Sequence, residues 1–411
     1  MKKSVLVSVM IALAMILALP GMTSAAPAFN DISSHWAAKD IQTALDRGFV
    51  AGYPDGTFKP NGTITRAEAA GMLSRITKLT PDSESQAFPD LEGHWSRDQV
   101  RKLASLGFID PADYAKGFEP DKAITRFELM KWIATGLARS DESFRQALSD
   151  TKGTLLPTPE TYGGGIEDAQ IPYIAVVKGT GIIAGFEDGT FRPANNTTRA
   201  EVVSTLLRYE KVEGTKAEDY LALNELREVG TTGTNLTSLT PYVYGKNGEF
   251  KNFIGKPITL SNKYAVLKMR RFIVVDETPS GYKGVYANYF VNQKYSYGGD
   301  EYYPIFVELS IDVLDDRFDP LSFANGTVNG ITNGYRLDQE IIDKNIIPSL
   351  PYASKYFEKG ASETVWVRSR IEKYVRNERM HYADTSVVAD DGSDFTILLY
   401  KDKEARGGEG D

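Results

Sequence analysis

The chain contains no cysteine, and its 411 residues include only three histidines. The first absence removes disulfides, thiolate metal sites and thiol nucleophiles, so stability must come from core burial. The second leaves little for acid–base chemistry. His35 and His94 each stand in a His-Trp pair, and His381 is isolated, with no nucleophile-elbow glycine motif beside it. A Ser-His-Asp arrangement therefore has no local support. Positive charge is also short: 47 Lys and Arg face 55 Asp and Glu, a net charge of −8. That balance disfavours bulk binding to nucleic acid or to an anionic membrane. No glycine-rich phosphate loop is present, and the acidic runs at 312–320 and 389–394 lack EF-hand spacing and read as solvated turns. No enzyme activity, cofactor or resident metal is expected.

Long apolar runs are scarce too, with one exception at the start. Lys2 and Lys3 precede an apolar run from Val5 to Leu19, then Pro20-Gly21 and the small residues "TSAA". This is the layout of an export leader, 1–25, cleaved after Ala25. The run is shorter than the ~20 residues that a spanning helix needs. An exported chain with no membrane contact after cleavage is expected.

What the chain has in abundance is repetition. "FNDISSHWAAKDI" (29–41) returns as "FPDLEGHWSRDQV" (88–100), and "GYPDGTFKP" (52–60) as "GFEDGTFRP" (185–193). "ITRAE" (64–68), "ITRFE" (124–128) and "TTRAE" (197–201) recur, and Phe58, Phe118 and Phe191 each precede the motif's arginine by eight residues. Three units follow: 29–79, 88–139 and 148–211. Each reads as helix, turn-rich loop, helix. In the first, Asp31 or Ser33-Ser34 is expected to cap a helix running to Arg47 and stopped by Gly48. The second helix of each unit opens on a T-x-x-E capping box. One unit of about 50 residues has too small a core to stand alone, so the three should bury each other's faces. In all three, an arginine occupies the first helical turn, where the helix dipole favours anions.

Beyond the repeats the period changes. Residues 212–235 read as a helix and linker, with "TTGTNLTS" (231–238) as the linker stretch. Seventeen of the 22 tyrosines lie after residue 211, which suits strands. In "YPIFVELSIDVL" (303–314), Val307, Leu309, Ile311 and Val313 alternate with Glu308, Ser310 and Asp312, the pattern of a half-buried strand. "YAVLKMRRFIVVD" (264–276), "GVYANYFV" (284–291), "ETVWVRSRIEKYV" (363–375) and "DFTILLY" (394–400) read the same way. Residues 236–405 are expected to form an antiparallel β-sandwich, with 406–411 a disordered tail.

The repeats resemble S-layer homology domains, cell-wall anchoring modules of bacterial surface proteins. The family pattern F-x-D, HWA, G-Y-x-D-G-T-F-x-P, I-T-R-A-E is complete in the first repeat, and the likeness covers about 29–211. It implies three tandem all-α modules in a pseudo-threefold helical bundle. Grooves between adjacent modules then bind a secondary cell-wall polysaccharide, often one carrying a pyruvate ketal. Carried over, the implied glycan contacts are Arg66, Arg126 and Arg199, with Asp31, Asp90 and Asp150, Trp36 and Trp95, and the turn residues Gly52 and Gly185. On this reading each arginine, with the free amides at its helix N-terminus, meets a ligand carboxylate. The tryptophans could equally stack on sugar or fill the bundle core, and the aspartates could equally be helix caps.

The second and third repeats depart from the pattern. "PADYAKGF" (111–118) replaces the glycine-tyrosine turn, and the third repeat has Asp168-Ala169 where His-Trp should stand, with about 14 extra residues before Gly181. These changes point to fewer than three competent grooves, with Arg66 in the one expected to survive. The C-terminal region loosely resembles immunoglobulin-like sandwiches of surface proteins. The expected protein sits at the cell wall or within a surface layer, displaying a structural or ligand-binding module, with its own copies as partners in the surface-layer case. The alternative is a wall-anchored, glycan-active enzyme with two carboxylates in a C-terminal cleft.

Overall fold

The computed structural model describes residues 29–83, 88–246, 248–327, 334–373 and 385–399. The leader 1–25, the tail 406–411 and His381 lie outside the described residues.

Each repeat contributes a helix pair. The first repeat has α1 (Ala38–Asp46) and α2 (Arg66–Ile76), and the second has α3 (Arg97–Ser105) and α4 (Arg126–Ser140). Then come α5 (Glu142–Asp150), the third repeat's α6 (Ile171–Gly179) and α7 (Arg199–Val212), and α8 (Leu221–Thr232). The capping boxes form as read: Thr65, Thr125 and Thr198 each accept the amide three residues on, and each Glu accepts the cap residue's own amide. The α1 boundary is corrected. No side chain of Asp31 or Ser33-Ser34 caps it; α1 begins at Ala38, and the His35 ring nitrogen accepts the Ala37 amide at 3.2 Å. His94 does the same for Ser96 at 3.3 Å, which gives both signature histidines a local structural task.

The three repeats join in a closed cycle through the strand-like residues before each capping box. The Ile64 amide donates to Thr197 O at 3.1 Å, Thr197 to Ile124 O at 3.1 Å, and Ile124 to Ile64 O at 3.0 Å. Short antiparallel bridges Thr63↔Thr198, Thr65↔Ala123 and Thr125↔Asn196 flank this triangle. Phe58, Phe118 and Phe191 are fully buried in a core that runs through all three repeats. Each lone unit's small core is thereby completed by its neighbours.

The C-terminal half is β-rich and antiparallel. A four-stranded sheet has the order β2-β3-β6-β7, where β2 is Pro257–Thr259, β3 Ala265–Val274, β6 Tyr302–Val313 and β7 Ser362–Glu372. A three-stranded sheet has the order β1-β9-β8, from Tyr242–Tyr244, Asp394–Leu399 and Thr385–Val388, and Asp276–Thr278 pairs with Gly281–Lys283 as a hairpin, β4 and β5. Ile305, Val307, Leu309 and Ile311 on β6 share one core with Phe395 and Ile397 of β9.

Three expectations are corrected here. β6 is buried on both faces, because Phe306 and Trp366 on the opposite side join the core of the helical repeats. Glu308 on that side is buried, accepting from Tyr162 of the third repeat at 3.0 Å and from Arg271 at 2.6 Å. A polar residue in an alternating pattern marks solvent only when nothing else can satisfy it. "GVYANYFV" holds a one-turn helix, Ala287–Phe290, and not a strand; Tyr286, Tyr289 and Phe290 are buried at helical spacing. The stretch 231–238 is no free linker: α8 runs to Thr232, Gly233 closes it with φ 81°, and Thr234, Asn235 and Leu236 are fully buried. Asn235 Nδ2 donates to Val274 O at 2.8 Å while its Oδ1 accepts the Val274 amide at 2.7 Å, so this segment docks on β3 like a strand.

Candidate functional site

The first-turn arginines are buried, with 7%, 8% and 5% of Arg66, Arg126 and Arg199 exposed. Each crosses to the next repeat in the cycle. Arg66 donates to Phe118 O at 2.9 Å and pairs with Glu128 at 2.6 Å and Glu119 at 2.9 Å. Arg126 donates to Phe191 O at 2.9 Å and pairs with Glu201 at 3.3 Å. Arg199 donates to Phe58 O at 3.0 Å and Ala51 O at 3.2 Å, and pairs with Glu68 at 3.0 Å. The guanidinium planes also lie over rings of the receiving repeat: Tyr114 at 5.0 Å, Phe186 at 4.4 Å and Tyr53 at 4.7 Å, respectively. Repeat one thus clasps two, two clasps three, and three clasps one.

This explains the charge in the first turn. The receiving glutamate is the capping-box residue of the next helix, so the arginine is neutralised across the interface. The amides of the first turn are also used. Arg66 and Ala67 donate to Lys122 O and Pro120 O, Arg126 and Phe127 to Asn195 O and Pro193 O, and Arg199 and Ala200 to Gly62 O and Pro60 O. The idea that these helix ends offer free amides to a ligand is therefore corrected: the loop of the neighbouring repeat already occupies them. Burial works against the charge of Arg66, but Glu128 and Glu119 outweigh it and hold its pKa above the ordinary value. For Arg126 burial prevails over the longer pair with Glu201, and its pKa lies below that value. Both stay charged at any physiological pH.

The aspartates brace loops and do not cap helices. Asp31 accepts the amides of Phe58 at 3.0 Å and Lys59 at 2.8 Å; Asp90 accepts those of Phe118 at 3.0 Å and Glu119 at 2.7 Å. In the third repeat the equivalent is Glu160, accepting from Phe191 and Arg192 at 2.7 Å each. Asp150 is a misassignment: it pairs with Arg227 of α8 at 2.9 Å, away from this loop. The insertion displaced the count from one side, but "TPE" at 158–160 stands in for "FND" and "FPD". Lys59, Glu119 and Arg192, the residues held by these carboxylates, all have positive φ, 56°, 51° and 49°. Two charge-assisted bonds per carboxylate offset that backbone cost.

Two clefts gather the remaining residues. Cleft A, about 440 Å³, brings together Trp36 of repeat one, Arg126 of repeat two, and Gly185, Phe186 and Arg208 of repeat three. Ser204, whose buried hydroxyl has no partner among the described residues, also lines it. Cleft B, about 230 Å³, brings together Trp95 of repeat two, Arg199 of repeat three, and Gly52, Tyr53 and Arg75 of repeat one. Both tryptophans are at the surface, 64% and 56% exposed, so neither fills the bundle core. The Trp95 ring reaches within 3.3 Å of where a Cβ on Gly71 would stand, so it lies directly on the backbone of α2. The two glycines line the clefts for packing reasons. The Phe29 ring occupies the space of a Cβ on Gly52, and Gly185 has φ +91° with Thr190 O only 3.0 Å from its Cβ position.

Arg75 and Arg208 were not singled out from the sequence, although each lies nine residues after its repeat's first-turn arginine. Each donates to a loop carbonyl, Phe49 O at 3.1 Å and Ile182 O at 3.2 Å. In the second repeat Thr135 holds that position and donates to Phe108 O at 2.9 Å. Arg66 therefore sits in the odd interface. No tryptophan of the third repeat reaches it, Thr135 replaces the second arginine, and Lys131, paired with Asp113 at 2.6 Å, stands where the other repeats have Gly71 and Ser204. Clefts A and B are each lined by all three repeats, and Arg66 lines neither.

The S-layer homology domain profile matches residues 28–70, 87–130 and 166–203. These three segments are S-layer homology domains. Over 131 residues the chain is 40% identical to Cell surface glycoprotein 1 of Acetivibrio thermocellus, covering 29% of this chain and 6% of that protein. It is 28% identical to an S-layer protein of Bacillus licheniformis over 229 residues, covering 53% and 24%. It is 34% identical to a cellulosome-anchoring protein of Acetivibrio thermocellus over 117 residues, covering 27% and 26%. The chain thus spans about a quarter or less of these relatives' own length. S-layer homology domains and S-layer relatives place the chain at the cell surface, in the cell wall. Among the described residues, no helix is long and apolar enough to cross a membrane.

Proposed function

We propose that the chain anchors non-covalently to a pyruvylated secondary cell-wall polysaccharide through clefts A and B, and displays its β-rich half at the surface. The observation that carries this reading is the pairing, in each of these two clefts, of an exposed tryptophan with two arginines. A tryptophan face suits the apolar side of a sugar ring, and a guanidinium suits a ketal carboxylate. Arg126 is the better candidate of the two first-turn arginines, because its carboxylate partner is more distant, 3.3 Å against 3.0 Å for Arg199. The cyclic contacts support reading the repeats as a pseudo-threefold helical bundle, rigid enough for two sites to act together. The Arg66 interface serves the fold alone.

For the β-rich half we propose an immunoglobulin-like sandwich with a structural or ligand-binding role and no catalysis. Its acidic run is spent on local contacts: Asp315 pairs with Arg317 at 2.7 Å, Asp316 with Lys355 at 3.3 Å, and Asp319 caps a helix by accepting from Ser322 at 2.7 Å. Such a module stays monomeric when released from the wall, whereas a lattice-forming one assembles with its own copies.

The test is co-sedimentation of the full chain with purified sacculi before and after acid stripping of the secondary polymer. Pelleting that disappears on stripping supports anchoring to that polymer. Pelleting that survives stripping contradicts it.

A further inference from the structure

A further cavity, of about 380 Å³, opens where the third repeat meets the β-rich half. That volume lies in the ~300–1,000 Å³ range of small-molecule sites. Pro157, Lys178 and the loop carrying Phe186 and Glu187 form one wall, and Tyr289, Asn292 and Lys344 belong to the other. Ala184, Phe186 and Glu187 line this cavity and cleft A alike, so one loop separates the two.

One polar group in the cavity wants a partner. Lys178 stands with its ammonium 5.2 Å from the centre of the Phe191 ring, and no carboxylate of the described residues forms an ion pair with it. Burial pushes its pKa down to about 8. It is therefore mostly charged at neutral pH without a counter-charge. The repeat fold does not ask for a lysine here: Leu45 and Ala104 hold the same place in the other repeats, three residues before Gly48 and Gly107. The carboxylates around the cavity do not fill the need. Glu340 is taken by Lys294 at 2.8 Å, and Glu187 is exposed at the rim. Lys344 adds a second positive charge to the lining.

We propose that this cavity is a sugar subsite for an acidic residue, whose carboxylate or phosphate meets Lys178 Nζ, on a polymer continuing from cleft A across the 184–187 loop. This rests on the anchoring reading above and extends it: the β-rich half is then part of the glycan site and not only its cargo. A wall polymer whose only acidic group is the ketal held in cleft A engages cleft A without engaging this cavity.

Titration of the full chain with D-glucuronate, glucose 6-phosphate and glucose, followed by NMR, tests it. Millimolar binding of at least one acidic sugar, with glucose about tenfold weaker or more, is expected, and the better acid identifies carboxylate or phosphate as the preferred group. Lys178→Met should bring the acid down to the level of glucose, and Lys178→Arg should retain it. Trp36→Ala should leave these affinities alone while reducing pelleting with sacculi. No acid binding at millimolar concentration, or acid binding indifferent to Lys178→Met, overturns the proposal. So does acid binding lost in Trp36→Ala and kept in Lys178→Met, which puts the sugar in cleft A. If pelleting is intact and no acid binds, the subsite falls while the anchoring reading stands. Acid binding through Lys178 without pelleting is the reverse case.

Discussion

Replacing Arg199 by alanine opens the cycle at the joint between the third repeat and the first. The side chain carries three interactions into its neighbour: Phe58 O at 3.0 Å, Ala51 O at 3.2 Å and Glu68 at 3.0 Å. Removing one member of a fully buried ion pair costs about 3–5 kcal/mol, because the other charge is stranded. Glu68 is not fully stranded. Its side chain is 26% exposed, and it keeps the Thr65 amide at 3.0 Å and the Tyr53 hydroxyl at 3.1 Å. The Phe58 carbonyl, on a residue with no exposure, has no such recourse. These considerations put the loss at the lower end of the range, about 3 kcal/mol. Urea unfolding should show it as a lower midpoint at unchanged slope. A double-mutant cycle with Glu68→Gln should give a coupling of about 1–2 kcal/mol. A loss under about 1 kcal/mol together with an additive cycle would refute the clasp, and the arginine would then be only a groove residue.

Further outcomes are expected elsewhere. Trp36→Ala and Trp95→Ala should each weaken binding to polymer by about 1–2 kcal/mol with the melting temperature unchanged, since both rings are at the surface; calorimetry on both variants checks this. Glu160→Ala removes both amide partners of a loop whose Arg192 has φ 49°, and should cost about 2 kcal/mol in thermal unfolding, whereas Asp150→Ala should leave that loop's backbone amides protected from hydrogen exchange. Glu225 is fully buried, and burial raises its pKa to about 7 against the donors Asn235 and Val285. The folded state therefore holds the proton more tightly than the unfolded chain. The stability it contributes is complete below pH 4.5 and is lost as pH rises towards 7, about 3 kcal/mol in all. Glu225→Gln should flatten that slope in urea midpoints measured across the window.

The parts of this molecule written in local sequence were the readable ones. Each T-x-x-E box involves groups three residues apart, and each Phe-to-Arg spacing of eight lies within one repeat. The clasp was unreadable because Arg66 and Glu128 belong to different repeats, and only the closed cycle decides which repeat receives which arginine. Glu160 was hidden because a glutamate replaces the aspartate and lies 31 residues before its phenylalanine, against 27 and 28 in the other repeats. On β6, Glu308 read as solvent-facing because its partner Tyr162 is 146 positions away. In "GVYANYFV", a short apolar run fits both strand and helix, and burial of Tyr286, Tyr289 and Phe290 on one side settled it.

The central claim is that two clefts, each completed by three repeats, hold the wall polymer. Its most direct measure is the stoichiometry of purified, released polymer fragments on the full chain, by titration calorimetry. The account predicts two sites, with only the cleft A site weakened in Trp36→Ala, only the cleft B site in Trp95→Ala and both in the double variant, and Arg126→Lys weakening only the cleft A site. Unchanged affinities in the double variant would contradict it, and would move the polymer site off the tryptophan clefts.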